Sequence, residues 1–413
     1  MAPEQAITKL LKTRLRKYYM WLAREYENRM DWKQTKIVTY DLDRKKLNRF
    51  YALAKVHKPT LGLRPIVNFK LQPYLKNTSA YLRDSDALIH DLKAIPVDEN
   101  DMMFSFDVTS LYTSLNIQAA LEVIDTITRG DPWNQGIVRG LELLLKNNYF
   151  TFGDTVWHQL DGTAMGTPVA PSFATLYLGY IEDSVLLPQF KDAFKYFKRY
   201  IDDGFVIIKD FHLKPFVMNR FLAMYTLRTK LKFTQESNAN QLAFLDLWIL
   251  RREVYTHKTH QKQLNLYLYI PASSAHPPGV LKGLVYGLFK KYRKQNPDNN
   301  DFKNIIELLF TRLLYRGYPK TLLKRLFRQA MTESKTTRPQ SSQIFFKVPF
   351  DPNGPKSNEL KRILLAPQFE SGFKKCGIDQ MTICFLRPKN LKQHLCPTTL
   401  RTDISPTPAE LLA

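Results

Sequence analysis

At 413 residues, with 44% apolar and 13% aromatic side chains, the chain can bury a large core or several subdomains. Its 61 Lys and Arg against 38 Asp and Glu leave a net charge of +23, which points to a polyanionic partner, most often nucleic acid. A basic surface without a partner, or an acidic membrane surface, are the weaker accounts. The three cysteines, Cys376, Cys384 and Cys396, crowd into the last tenth of the chain without C-x-x-C spacing, so neither a disulfide framework nor a zinc ribbon is indicated. No run of about 18 apolar residues marks a membrane span, and MAPEQAITKLLKTRLRKYY has no apolar signal-peptide core. A soluble protein of the nucleus or cytoplasm is expected. His257 and His260, in HKTH, lack a nearby Cys or carboxylate to complete a zinc set and read as solvated loop histidines.

In chain order, the first fifty residues mix basic and aromatic side chains on a helical pattern, LLKTRLRKYYMWLAREYENRM. KVHKPTLGLRPIVNF reads as strand, loop, strand around Pro59, Gly62 and Pro65. MMFSFDVTSL alternates as a half-buried strand, with Phe104, Phe106 and Val108 on one face and Ser105 and Asp107 on the other. Asp107 therefore points away from the apolar layer. Asn116 caps a helix over IQAALEVIDTI, and a second helix covers LELLLKNNYF. Between Gly162 and Tyr180 a glycine-rich loop feeds a helix, with Pro168 and Pro171 where a first turn has free N–H positions. YIDDGFVI follows, with Asp203-Gly204 between two apolar runs as the turn of a hairpin. An amphipathic helix spans FHLKPFVMNRFLAMYTLRTKL, then come short strands in LKFTQES and LAFLDLWILRREVY. This order describes an α+β layer, an antiparallel sheet with helices on one face. Beyond about residue 275, VLKGLVYGLFKKYRKQ and IIELLFTRLLYRGYPKTLLKRLFRQA form a basic helical lobe. TESKTTRPQSSQ reads as a linker, and a last section from about Ile344 ends in a Pro-rich, mobile tail.

Asp107 and Asp202, from different strands, are the best candidates for a shared divalent-metal site. In-line phosphoryl transfer uses two Mg²⁺ ions about 3.5–4 Å apart, and hard carboxylate oxygens suit that ion. One acid at a strand end and the pair Asp202-Asp203 at a hairpin tip bring three carboxylates to one sheet edge, where a cation offsets their repulsion. The competing account is an exposed turn that does no chemistry.

FSFDVTSLYTSL, GTAMGTPVAPSFATLYL, RYIDDGF, KFTQES and LAFLDL, in this order, resemble motifs A to E of right-handed reverse transcriptases. AKVHKPTLGLRPIVNF resembles the fingers motif, its LRPIV core shared by Penelope-like elements and telomerase. SLYTSLN, AMGTPVAP and the FTQES…FLDLWI pairing resemble the Penelope-like reverse transcriptases in particular. So do YIPASSAHPPGVLKGLVYG, like that family's thumb region, and LRPKNLKQHL, like the segment closing its polymerase core. The resemblance spans roughly residues 45 to 400. It implies a right-hand polymerase: residues 1–101 as N-terminal helical segment and fingers, 102–255 as palm, 256–335 as helical basic thumb, and 336–413 as C-terminal extension. It also implies an RNA-directed DNA polymerase of a retroelement, extending a DNA primer 3′-hydroxyl with dNTPs on an RNA template, with Mg²⁺ or Mn²⁺ as cofactor and the RNA–DNA hybrid as a partner.

By the resemblance, Asp107 and Asp202 hold the catalytic metals, and Asp203 either ligates or supports the charge. Tyr112, five residues after Asp107, occupies the sugar-discriminating position, where an aromatic ring excludes a 2′-hydroxyl by steric overlap. Lys55, Lys58 and Arg64 clamp the triphosphate. Met165 and Gly166 lie against the template base and incoming nucleotide, with Gln159 a less well matched contributor. Lys230 or Lys232, near motif D, protonates the leaving pyrophosphate. Phe244, Leu245 and Asp246 belong to the hairpin that grips the primer end, while Lys282, Lys290, Lys291 and Arg293 contact the template–primer duplex. AKVHK departs from the family in lacking a proline before its first lysine. No stretch after Leu400 is long enough for the GIY-YIG nuclease that many Penelope-like proteins carry, so no endonuclease is expected. Two rivals remain: an RNA-directed RNA polymerase, against which Tyr112 argues, and an inactive RNA- or hybrid-binding relic, against which the intact Asp107, Asp202, Asp203, Tyr112 and Arg64 argue.

Overall fold

The computed structural model describes residues 10, 13–14, 17–18, 21, 48–49, 63–152, 155–164, 167–209, 214–262, 264–277, 279–332, 343–364 and 380–386. The chain divides into two compact units, Met1–Lys262 and Gln263–Ala413. The division falls seven residues beyond the palm–thumb boundary expected at 255/256.

The first unit begins with strand β1 (Asn48–Arg49), helices α1 (Leu63–Leu75) and α2 (Ser85–Leu92) and strand β2 (Met102–Thr109). Helices α3 (Leu111–Ser114), α4 (Ile117–Ile127) and α5 (Asn134–Leu145) follow, then strands β3 (Tyr149–Phe152) and β4 (Thr155–His158). Helix α6 (Ala170–Ile181) runs into a π-helical turn (Glu182–Leu186) and α7 (Leu187–Phe190). The hairpin β5 (Phe194–Tyr200) and β6 (Asp203–Ile208) precedes helix α8 (Lys214–Thr229). Strands β7 (Lys232–Asn238), β8 (Gln241–Phe244), β9 (Leu247–Arg251) and β10 (Tyr255–Thr259) complete the unit, and β10 pairs along its length with β9, which carries the boundary past residue 255.

Four strands form an antiparallel sheet in the order β5-β6-β2-β7. Phe104, Phe106 and Val108 of β2 turn to one face, joining Leu71 of α1, Ile124 of α4, Phe173 of α6 and Phe221 of α8 in a single core. The opposite face is covered too. Met103, Phe205 and Ile207 pack there with Leu88 and Leu92 of α2 and with Leu242 and Ile249 of β8 and β9. The half-buried reading of β2 is therefore corrected: its second face runs from fully buried Met103 through Ser105 to exposed Asp107. The strand is covered at one end and open at the other.

Asn116 caps α4 as expected, its side chain accepting from the Ala119 N–H at 2.8 Å, and Pro171 sits in the first turn of α6. Other expectations change. Residues 63–75 are helical, with Pro65 tolerated in the first turn and Val67, Leu71 and Leu75 at four-residue spacing on the buried face. The helix expected over LELLLKNNYF ends at Leu145, and Tyr149 and Phe150 open β3. His257 is buried within β10, and His260 packs edge-on against Trp248, so neither is a solvated loop histidine.

In the second unit, helices α9 (Val280–Gln295), α10 (Asn299–Tyr315) and α11 (Lys320–Thr332) enclose a core of Val285, Phe289, Leu309, Leu313, Leu323 and Phe327. Asp298 caps α10 by accepting from the N–H groups of Asn300 and Asp301. Gly317, at φ +85°, permits the tight connection from α10 to α11. Strands β11 (Gln343–Pro349) and β12 (Gln380–Leu386) pair in parallel around helix α12 (Ser357–Leu364). Half-buried Cys384 on β12 is a free thiol, while Cys376, Cys396, most of the expected linker and the Pro-rich tail lie outside the described residues. Among the described residues no helix is long and apolar enough to cross a membrane.

Candidate active site

Strand pairing brings the carboxylates together. Asp107 of β2 stands opposite Asp203 of β6, so the two side chains leave the same face of the sheet, where directly opposed Cβ atoms lie about 4.5–5.5 Å apart. Asp202 occupies the adjoining connection, and its carbonyl accepts from the Val108 N–H at 3.1 Å. That bond extends the β2–β6 pairing past the strand end and ties the turn to the residue following Asp107.

The hairpin turn differs from expectation. Tyr200 pairs with Asp203, which leaves Ile201 and Asp202 as the turn, with Ile201 in the left-handed region at φ +58°. Asp203 and Gly204 belong to β6. The glycine serves a different need from turn formation: Gly204 pairs with Phe106, and a Cβ on it would fall 2.1 Å from that ring. Its missing side chain makes room for the aromatic that fills the sheet's helical face. Ile201, a β-branched residue, carries the conformational strain instead.

The electrostatics match the geometry. Partial burial raises the Asp107 carboxyl above its ordinary range, helped by the charge of Asp202, while Lys262 pulls the other way. Burial pushes Asp203 up to about 6, with Asp202 and Asp107 adding to the rise and Lys262 again opposing it. Neighbouring carboxylates thus disfavour the ionised forms of Asp107 and Asp203, a condition a cation relieves. Among the described residues no three Asp, Glu, His or Cys side chains close into a metal cage.

Tyr112 lies on α3, half-buried against the helical core. Burial raises its hydroxyl to about 12, and the charges of Asp202 and Tyr200 add to the rise. Ser110 at φ +54° starts this helix. The glycine-rich loop grips its end: Thr163 N–H donates to the Tyr112 carbonyl at 2.6 Å and Gly162 N–H to the Leu115 carbonyl at 3.1 Å. Gly162 sits at φ +71°, and a Cβ there would meet the Tyr112 carbonyl oxygen at 2.4 Å, so glycine is required twice over.

Lys232 pairs with Thr109, and Thr234 with Asp107, so Lys232 lies on the face of the carboxylates, one pleat away. Lys230 is a left-handed residue in the connection before β7. Gln159 is engaged elsewhere, accepting from Asn148 at 2.6 Å and donating to the Asp161 carbonyl at 2.8 Å. Lys55, Lys58, Met165 and Gly166 lie outside the described residues, and so does the side chain of Arg64, whose backbone is in α1.

Phe244 is corrected from a nucleic-acid contact to a core residue, buried with its ring tilted at 5.3 Å from that of Phe205. Leu245, at φ +55°, forms the half-buried tip of the β8–β9 hairpin beside Asp246. Asp246 accepts from the Ser85 hydroxyl, and its carbonyl from the His260 N–H at 2.8 Å.

On α9, Lys282, Lys290, Lys291 and Arg293 are all exposed. Arg293 stacks on Phe302 and donates to Asn299 at 2.9 Å, and Lys282 lies 4.9 Å over the Tyr286 ring. Helix α11 carries four further cations, Lys320, Lys324, Arg325 and Arg328, whose exposed side chains have no hydrogen bond or ion pair among the described residues. The sequence pattern marked this helix as basic without separating it from α9.

Residues 268–328 match the animal helix-turn-helix domain family, a span that covers α9, α10 and most of α11. No curated protein matches the chain. Distant likenesses to solved structures include apo telomerase from Candida tropicalis truncated from its C-terminal domain, at 14% identity and a TM-score of 0.40, covering 48% of this chain and 44% of that one. Telomerase from Candida albicans with a fragment of telomeric RNA matches at 12% identity and 0.45, covering 65% and 48%. The BmCPV RNA-dependent RNA polymerase at elongation state matches at 11% and 0.39, covering 56% and 22%. The chain spans less than half the length of each of these proteins.

Proposed function

We propose that the chain is an RNA-directed DNA polymerase of the Penelope-like, right-hand type, acting for a retroelement in the nucleus or cytoplasm. The observation that carries this reading is the register that sets Asp107 opposite Asp203, with Asp202 in the adjoining turn. Asp107 and Asp202 would hold two Mg²⁺ or Mn²⁺ ions, with Asp203 completing the negative field. Bound there, such ions activate a primer 3′-hydroxyl and stabilise the leaving pyrophosphate.

The chain's own groups account for the rest. Tyr112, gripped through its carbonyl by the glycine-rich loop and with a hydroxyl that feels the charge of Asp202, would set its ring beneath the sugar of a dNTP. Lys232, on the carboxylate face, would give a proton to the departing pyrophosphate. The fingers cations Lys55, Lys58 and Arg64, with Met165 and Gly166, would complete the nucleotide pocket. Cations of α9 and α11 would hold the backbone of an RNA–DNA hybrid without reading its sequence.

The test is primer extension on an RNA template by the purified protein, with dNTPs or rNTPs, beside Asp202→Asn. Extension with dNTPs that Asp202→Asn abolishes supports the reading. A preference for rNTPs makes the chain an RNA polymerase, and hybrid binding without extension makes it a binder.

A further inference from the structure

Beneath the carboxylate turn lies an ion pair without solvent contact. Arg199 of β5 and Glu182, at the start of the π-helical turn, are both wholly buried. The guanidinium meets the carboxylate as a fork, Nε to Oε1 at 2.6 Å and Nη2 to Oε2 at 2.7 Å. Tyr225 of α8 donates its hydroxyl to the same Oε1 at 2.6 Å, and Nη2 also donates to the Thr175 carbonyl of α6 at 3.2 Å. The remaining arm leaves this cluster: Nη1 donates to the Ile201 carbonyl at 2.6 Å.

A buried ion pair is a weak device for stability, since apolar residues of similar volume often serve as well or better. This one reaches a residue with a conformational problem. Ile201 sits at φ +58°, which a β-branched side chain disfavours, and it is the residue before Asp202. We infer that Arg199 is a positioning residue, clamping the Ile201 carbonyl so that the turn keeps its left-handed form and sets Asp202 beside Asp107. Glu182 and Tyr225 aim the guanidinium. Only arginine suits the task, because its planar fork binds the carboxylate while a separate N–H reaches the turn, which a lysine ammonium does not reproduce. The inference rests on the reading of Asp202 as a metal-holding acid.

The decisive variant is Arg199→Met with Glu182→Met, which removes both charges together and is expected to fold. In it the Val108 amide, whose acceptor is the Asp202 carbonyl, exchanges with solvent faster than in the wild type, and Mn²⁺ binds on the order of 10- to 100-fold more weakly by paramagnetic titration. Adding Ile201→Gly, which removes the conformational penalty, restores both. A merely structural role predicts no rescue by glycine in the turn. Where the double variant fails to fold, Arg199→Lys, which keeps the charge, shows the same two changes and the same rescue. Wild-type Val108 exchange in the folded variants, or no rescue by Ile201→Gly, overturns the clamp. Unaltered Mn²⁺ binding by Asp202→Asn overturns the metal reading instead, and Val108 exchange still decides the clamp.

Discussion

The two units place charge in opposite ways. In the first, the important charges are close together, partly or wholly buried, and fixed by the fold: Asp107 against Asp203 by strand register, Arg199 against Glu182 by a guanidinium–carboxylate fork between β5 and the π-helical turn. In the second, the cations of α9 and α11 stand on exposed helix faces, and those of α11 have no ion pair among the described residues. Under the proposed function, the difference follows from what each region would do. Phosphoryl transfer needs oxygens held to a fraction of an ångström, and a low dielectric makes each charge count. Holding a polyanionic backbone needs many interchangeable contacts, each weak and screened by salt. One region is specified by geometry, the other by number.

Single substitutions should therefore be severe in the first unit and graded in the second. Asp107→Asn keeps shape and removes charge, and is expected to cut primer extension on the order of 10²–10³-fold with little change in melting temperature. An active Asp107→Asn would break the comparison at its strongest point. Gly204→Ala tests the packing behind the site: its Cβ would lie 2.1 Å from the Phe106 ring, and the resulting overpacking should cost about 1–3 kcal/mol in denaturant unfolding. Phe106→Leu in the same chain should recover part of that stability.

The acid cluster also makes a pH prediction. Asp203 is raised from 3.8 to about 6, so between those values the folded protein keeps a proton that the unfolded chain has released. Its contribution to stability is complete below the ordinary value and is lost as pH rises through about 6. A divalent cation that binds the ionised acids should reverse this trend, raising the melting temperature more above pH 6 than below it. An equal Mn²⁺ shift on both sides would show that the ion binds elsewhere. The smallest effect is expected in the second unit. Lys324→Glu or Arg328→Glu should weaken hybrid binding modestly and lower the salt-dependence slope by about 0.7–0.9 for each phosphate that is no longer neutralised. A defect as steep as that at Asp107 would mean that this surface, too, is specified by geometry.

Much of the site was legible where local pattern and local cause coincide. The alternation of β2 put Asp107 on the face away from Phe104, Phe106 and Val108, and Asn116 announced its helix. Errors arose where one residue type answers two physical needs. Glycine after Asp203 signals either a turn or a close approach, and only the distant Phe106 decides between them. Proline at 65 signals either extended chain or a first helical turn, and the choice lies in Val67, Leu71 and Leu75 finding a core. Phe244 carries a motif position and a core position at once, and burial against Phe205 selects the second. The Arg199–Glu182–Tyr225 network was not legible, because its members come from three separate elements whose meeting is a property of the fold.

Strand β2 is paired on both edges from Met103 to Asp107, with β6 on one side and β7 on the other. A backbone in that position opens to solvent only when two ladders part, so its amides belong with the slowest to exchange in the molecule. The turn bearing Asp202 hangs instead between β6 and β5, the edge strand of the sheet. One aspartate is thus anchored in the most persistent part of the unit and the other near its margin. Any breathing of the site moves Asp202 toward or away from a fixed Asp107, and the distance between two acids becomes a matter of how firmly one hairpin is held.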